Sequence, residues 1–374
     1  LSNFGDSVTV PGNALSTSIT GGAGDAAVVY APAGTSVGSP AVVTGTINGG
    51  GGTNNTLGAS AGVAVDFTAA TILNIQNVSL GAGSTGTFTA AQIDYGYLGG
   101  SGFPAHTSSV ETLTGTGLGA NGATFIVKDP GSAWYYDFSN IIFENWGNGD
   151  ILDITGSSTY ANLYNMGMNM ASYVYIHGAG GTLEFIPDSD HPDALANVSD
   201  IDTLIFGDFE GSVEMDPLPV ALPHDDTLTI DTTSMTAMIG GSLTLDASAL
   251  SAKLDYHAGA GNDHITGTGQ NDSFSFGENL TSGDSITGGG GTDKLYFTPS
   301  ATQTSALEHV QGISKIYFGD PGGTVVMDTL SAGLQSAGTL YLDTTGVTAP
   351  TSSITLNASA LSATLDYTAG AGID

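Results

Sequence analysis

The chain contains no cysteine and no arginine, and its only cations besides histidine are Lys128, Lys253, Lys294 and Lys315. The lack of thiols excludes disulfides, zinc–thiolate sites and a cysteine nucleophile. Four lysines against 36 acidic residues leave a formal net charge of −32. With so little positive charge to neutralise phosphates, the composition argues against binding nucleic acid or an anionic lipid surface. No run of about 18 apolar residues is present, so no membrane insertion is expected. Helical periodicity is also nearly missing. Only 301–310, with Ala306, Leu307 and Val310, reads as a short helical turn. His-Glu-x-x-His and Walker A sequences are absent. A polysaccharide lyase would want arginine or lysine at its substrate, and among so many acids carboxylate pairs arise by chance. No enzymatic activity is expected.

What is present is apolar, small and repetitive. Of 374 residues, 40% are apolar and 56 are glycine, so the chain is not of the disordered type and can bury a core. Short alternating runs such as Ser7-Val-Thr-Val10, Val63-Ala-Val-Asp-Phe67, Ile72-Leu-Asn-Ile75 and Phe125-Ile-Val127 are separated by Gly, Ser, Thr and Asn. That spacing predicts an all-β fold.

Self-comparison resolves a long repeat. Leu204-Ile-Phe-Gly-Asp208 recurs as Ile316-Tyr-Phe-Gly-Asp320, and Met215-Asp216 recurs as Met327-Asp328. Thr227-Leu-Thr-Ile-Asp-Thr-Thr233 recurs as Thr339-Leu-Tyr-Leu-Asp-Thr-Thr345, all at an offset of 112. After one deletion, Leu245-Asp-Ala-Ser-Ala-Leu250 matches Leu356-Asn-Ala-Ser-Ala-Leu361, and Leu254-Asp-Tyr256 matches Leu365-Asp-Tyr367. The division this suggests is a Gly/Thr-rich β region over 1–175, a first repeat unit over 176–287 and a second, incomplete one over 288–374. The second unit stops at Asp374, the counterpart of Asp263, and residue 1 is Leu. A longer native polypeptide is therefore expected.

Chemistry concentrates in the first unit. Ala258-Gly-Ala-Gly-Asn-Asp-His-Ile-Thr266, Gly267-Thr-Gly-Gln-Asn-Asp-Ser-Phe-Ser275 and Gly288-Gly-Gly-Gly-Thr-Asp-Lys-Leu-Tyr296 follow the nonapeptide Gly-Gly-x-Gly-x-Asp-x-U-x, where U is a large apolar residue. Ser282-Gly-Asp-Ser-Ile286 is a degenerate copy. In such a pattern U points into a narrow core, glycines permit turns with positive φ, and the aspartate adds a hard oxygen to the turn. Stacked turns of this kind surround Ca²⁺ with carboxylate and carbonyl oxygens, whereas Mg²⁺ demands a tighter octahedron. The candidate ligand residues are Asp263, Asp272, Asp284 and Asp293, supported by Asn262, Asn271, Gly259, Gly261, Gly289 and Gly291, with Asp374 beginning the next copy.

These motifs resemble the RTX family of calcium-binding β-rolls, and the wider style, with Asp-Ala-Ser-Ala-Leu ahead of the motifs, resembles RTX-related S-layer proteins of Gram-negative bacteria. The array is short and interrupted, unlike the long tracts of RTX toxins, which favours calcium sites punctuating a structural solenoid. The resemblance implies a parallel β-solenoid or β-roll with calcium-binding turns, with a β-sandwich-like part or further solenoid before residue 175. It also implies type I export to the cell surface and self-assembly into a calcium-stabilised lattice or filament. A different class, a repetitive adhesin binding a glycan such as cell-surface polysaccharide, stays open. Its candidate surface is the aromatic cluster of Phe125, Trp134, Tyr135, Tyr136, Phe138, Phe143 and Trp146, which reads first as a local β core and otherwise as an exposed contact surface.

Weaker candidates lie elsewhere. Gly147-Asn-Gly-Asp-Ile-Leu-Asp-Ile154 is expected to present Asp150 and Asp153 on one turn as a calcium site. Gly21-Gly-Ala-Gly-Asp25 carries its Asp one position early, and Gly49-Gly-Gly-Gly-Thr-Asn-Asn55 has Asn in place of Asp; both read as plain glycine turns. Asp231 and Asp343 each precede two threonines and read as hydroxyl-capped turns. His264 reads as a surface side chain, and the spacing of Met166, Met168 and Met170 as one face of a strand.

Overall fold

The computed structural model describes residues 6–12, 14–16, 18–93, 110–117, 121–128, 135–146, 149–156, 163–167, 170–187, 189–209, 211–235, 242–335 and 338–372. Among them the chain is almost wholly β, with one four-residue helix, Ala90–Ile93. No helix among them is long and apolar enough to cross a membrane. It divides into two compact units, residues 1–185 with 197–199, and 186–196 with 200–374.

In the first unit the chain alternates chiefly between two parallel sheets, and Tyr135–Asp137, Leu163–Gly167 and Thr182–Phe185 join a third. One runs Asp6–Val10, Ala26–Tyr30, Thr56–Ala59, Asn77–Leu80, Thr112–Thr114 and Ile142–Glu144. The other runs Ala14–Ser16, Ala41–Asn48, Ala64–Asp66, Thr85–Thr89, Thr124–Lys128, Ile151–Thr155, Val174–His177 and Val198–Ser199. Each step to a neighbouring parallel strand passes through a strand of another sheet, Leu163–Gly167 and Thr182–Phe185 of the third serving between the last three strands, which supplies the long crossover that parallel pairing requires. This is a solenoid, and of the two options for the region before residue 175 the β-sandwich is not the one that forms. A sandwich is built from antiparallel hairpins, and here the glycine and Asx corners turn the chain onward instead of back. The single antiparallel contact among the described residues is the bridge between Ser36 and Ser39.

The second unit has the same logic. One parallel sheet runs Thr203–Phe206, Thr227–Asp231, Lys253–His257, Ser273–Gly277, Lys294–Phe297, Lys315–Gly319, Thr339–Gly346 and Thr364–Thr368. A second runs Ser212–Glu214, Ser242–Asp246, Asn262–Thr266, Ser285–Thr287 and Val310–Gln311, and Thr324–Thr329 pairs with Ser353–Asn357. Strand period two sends Leu254 and Tyr256, Phe274 and Phe276, and Leu295 and Phe297 inward from the first sheet, with Leu243, Leu245, Ile265 and Ile286 buried along the second. Each such side chain contributes about 1.5–3 kcal/mol by leaving water. Phe274 is fully buried, so Phe274→Ala is expected to cost about 3–5 kcal/mol. Urea unfolding followed by circular dichroism would show it as a lowered midpoint, and an unchanged midpoint would contradict this packing.

The repeat is also a repeat of structure. Thr232 Oγ1 meets Tyr256 Oη at 3.3 Å, donates to His257 O at 3.1 Å and accepts from Gly259 N at 2.8 Å. Thr344 Oγ1 does the same with Tyr367 Oη at 3.0 Å, Thr368 O at 3.2 Å and Gly370 N at 3.0 Å. The helical turn expected at 301–310 forms as successive three-residue turns, Gln303 N to Ser300 O, Ala306 N to Gln303 O and Glu308 N to Ser305 O. Its apolar spacing only has to bury Ala306, Leu307 and Val310, and consecutive tight turns achieve that without an α-helix.

Candidate functional site

Each nonapeptide aspartate stands at a corner where the glycine turn enters a strand. Asp272, Asp284 and Asp293 directly precede Ser273–Gly277, Ser285–Thr287 and Lys294–Phe297, and Asp263 is the second residue of Asn262–Thr266. All four are at most 1% exposed. They stack in two columns, one per sheet. Asp263 N donates to Asp284 Oδ1 at 2.7 Å, and Asp272 N donates to Asp293 Oδ1 at 2.9 Å. Below Asp272, Leu254 N donates to its Oδ1 at 2.8 Å. Asp272, Asp284 and Asp293 thus each take the amide of the residue in register one rung below, and Asp263 does not.

The remaining oxygens divide the four into two kinds. Asp272 is filled: Thr268 N donates to Oδ2 at 2.6 Å and Thr268 Oγ1 to Oδ1 at 2.8 Å. Asp284 is filled likewise, with Thr281 N at 2.7 Å and Thr281 Oγ1 at 3.0 Å on Oδ2. Asp263 takes the Tyr256 hydroxyl on Oδ2 at 2.8 Å, but its Oδ1 is buried without a partner, as is Asp293 Oδ2. Burial pushes all four carboxyls up from their ordinary value. For Asp272 and Asp284 the amide and hydroxyl donors oppose that rise. Asp263, with the charge of Asp284 nearby, and Asp293, with that of Asp272, are pushed up to about 7. Tyr256 is also raised, chiefly by burial and then by the charge of Asp263.

Two buried oxygens without partners suit a hard, oxygen-seeking cation or a proton. The surroundings of Asp293 fit a cation. A Cβ placed on Gly288 would lie 2.6 Å from Asp293 Oδ2 and 2.5 Å from Gly312 O, so carboxylate and carbonyl border one space, as Asp272 Oδ2 and Gly288 O do at Gly267, but here without a donor on the carboxylate oxygen. The turn is opened by Gly289 and Gly291, with φ of 90° and 97°, values that favour glycine. No group of three or more His, Asp or Glu side chains that could hold a metal converges among the described residues. Ligands beyond the single carboxylates would therefore come from backbone carbonyls and water, a donor set Ca²⁺ accepts.

The other sequence candidates separate by place. Gly261 has φ of 148°. Gly259 packs against Thr232 O, Asn262 lies at an exposed strand start, and Asn271 Oδ1 accepts from Thr292 N at 2.7 Å. Asp150 is buried at a corner like those above, accepting Ala123 N at 2.8 Å and Thr116 N at 3.0 Å. Asp153 does not share that turn. It lies within Ile151–Thr155, where period-two alternation buries Leu152 and Ile154 and turns Asp153 to the other face. Asp374, Trp134 and Met168 lie outside the described residues. Asp231 and Asp343 each accept the amide and hydroxyl of the threonine two residues on. His264 is exposed beside Ser285, at 2.8 Å. The aromatic cluster is largely core: Phe125, Tyr136 and Phe138 are buried, and Trp146 stacks on Phe125 while its Nε1 donates to Leu113 O.

Three participants were not singled out from the sequence. Tyr256 and Thr232 look like ordinary strand residues until the rungs stack. Asn55 is fully buried in a turn that reads as plain glycine. Gly34-Thr-Ser-Val-Gly38 has the spacing of a hydrolase nucleophile turn, but Ser36 is exposed in a two-residue turn bridged to Ser39, not on a strand-to-helix elbow. No protein-family model, curated protein or solved structure matches the chain.

Proposed function

We propose that the chain is an extracellular structural subunit that binds Ca²⁺ at its glycine–aspartate corners and self-associates into a surface lattice or filament. The observation that carries this reading is the pair of stacked aspartate columns, with Asp263 Oδ1 and Asp293 Oδ2 buried and lacking a donor. A net charge of −32 supports it, because a polyanion repels itself until divalent ions bind. So does the repetition, since stacked rungs bury one continuous core and extend by adding like units. Sites of this kind bind at about 10⁻⁴–10⁻³ M, a range matched to the extracellular space, and the RTX-like motifs suggest type I export as the route there. Cell-surface polysaccharide is a candidate anchor.

Negative-stain electron microscopy of the purified protein tests the proposal. Ordered head-to-tail arrays in millimolar Ca²⁺ that dissolve in chelator, and that Mg²⁺ does not restore, are expected. A protein that stays monomeric in both conditions would sink it. The adhesin reading would draw on the half-exposed Tyr296, which stacks on Tyr317 at 4.8 Å, and on Tyr341, with Lys315 Nζ 5.0 Å from its ring. A monomer that binds one glycan on an array would favour it.

A further inference from the structure

Two glycine turns, one in each unit, share their glycine hydrogen bonds and the amide bond at the corner, and the first is one residue longer. In the first unit Gly49–Gly52 leads through Thr53 and Asn54 to Asn55, and in the second Gly288–Gly291 leads through Thr292 to Asp293. Gly49 N donates to Leu73 O at 2.9 Å, and Gly288 N to Gln311 O at 2.9 Å. Gly51 N donates to Gly22 O at 2.8 Å, and Gly290 N to Thr268 O at 2.9 Å. Gly50 and Gly289 adopt φ of 85° and 90°. At the corner itself, Ala26 N donates to Asn55 Oδ1 at 2.8 Å as Asp272 N donates to Asp293 Oδ1 at 2.9 Å.

The second side-chain atom separates them. Asn55 Nδ2 donates to Gly52 O at 3.0 Å and to Asn74 O at 2.9 Å. Asp293 Oδ2 has no donor and borders the space beside Gly288 that Gly312 O also borders, where Gly312 O takes the place that Asn74 O holds behind Gly49. A side-chain amide brings two N–H donors to a spot where a carboxylate brings only an acceptor. Buried acceptors that face each other need positive charge or a proton between them, whereas an amide facing two carbonyls needs neither.

We propose that Asn55 does for its turn what a bound cation does for the turn at Asp293, closing the corner with its own amide so that the corner holds without calcium. This rests on the calcium reading of the 288–293 turn. At these two corners one Asx position therefore decides whether the turn requires a divalent ion.

Reciprocal exchange tests it in the full chain, by hydrogen–deuterium exchange of wild type, Asn55→Asp and Asp293→Asn in millimolar Ca²⁺ and in chelator. In wild type, 49–59 is expected to exchange equally in both, while 288–297 exchanges on the order of tenfold faster in chelator. Asn55→Asp should make 49–59 about tenfold faster in chelator, with calcium restoring protection. Asp293→Asn should leave 288–297 equally protected in both. An Asn55→Asp chain that exchanges like wild type in chelator, or that loosens and is not restored by calcium, overturns the proposal. If Asn55→Asp does not fold, Asp293→Asn decides alone: retained chelator sensitivity overturns the assignment. A wild-type 288–297 segment indifferent to calcium defeats the underlying calcium reading, and that arm is read without either variant.

Discussion

In chelator at about pH 8 the segment 256–297 is expected to lose its amide protection, and either acidification to about pH 5 or millimolar Ca²⁺ should restore it. Burial raises Asp263 and Asp293 from the ordinary 3.8 to about 7 in the folded chain. A carboxyl whose pKa is raised by folding holds its proton more tightly when folded. Its contribution is complete below the unfolded value and is lost as pH rises through the folded one, so the window runs from about pH 4 to about pH 7. Shifts of this size correspond to on the order of 4 kcal/mol per carboxyl. Calcium reverses the sense, because it binds the ionised form and adds about 1.4 kcal/mol per site at about 1 mM and about 2.7 kcal/mol at about 10 mM for a dissociation constant of about 10⁻⁴ M. Asp320 runs the other way. The Ser352 hydroxyl and the Gly322 and Ala349 amides hold it well below the ordinary value, so its contribution is lost on acidification. Hydrogen exchange read segment by segment keeps the two apart. Equal protection of 256–297 at both pH values in chelator would refute the assignment of Asp263 and Asp293 as the unsatisfied pair.

Asp272 and Asp293 occupy one column, yet their amide variants should behave in opposite ways. Asp272→Asn sets an N–H against either Thr268 N or the donors Leu254 N and Thr268 Oγ1, all of which the carboxylate now satisfies. Stranding one buried donor costs about 1–3 kcal/mol, and a clash between two donors adds to it, so a loss of about 2–4 kcal/mol is expected. Asp272→Ala strands all three and should cost more. Asp293→Asn supplies a donor where none exists and is expected within about 1 kcal/mol of wild type, or above it. Urea unfolding at about pH 5 in chelator compares them without the metal. Equal losses in the two variants would mean that the lone-pair accounting is wrong.

The sequence by itself determined which side chains enter the core and which turns carry carboxylates. Strand side chains alternate with period two, so Leu254 with Tyr256 and Phe274 with Phe276 had to share a face wherever the strand lay. Likewise Gly288 through Asp293 had to form a glycine corner with an acid at its exit. The offset of 112 marked two like units because the matching strands conserve length as well as pattern. Before residue 175 that signal fails. The amide of Ala26 meets Asn55 and that of Ala123 meets Asp150, at separations of 29 and 27 residues, against 21 at Asp293 and 18 at Asp272. Rungs of unequal length leave no fixed period to detect, although the parallel stacking is the same.

Only the tertiary structure decided which backbone groups face each Asx side chain across a rung. Thr268 and Thr281 fill Asp272 and Asp284 from four and three residues away in their own turns, and Tyr256 reaches Asp263 from seven, so that part of the division is local, whereas the amides of Leu254, Asp263 and Asp272 arrive only when rungs stack in register. The same stacking makes Asn55, which reads as a lapse from the motif, the residue whose amide faces two carbonyls. The cross-rung share of this hydrogen bonding joins residues about 20 apart or more, and a local motif carries no information about it.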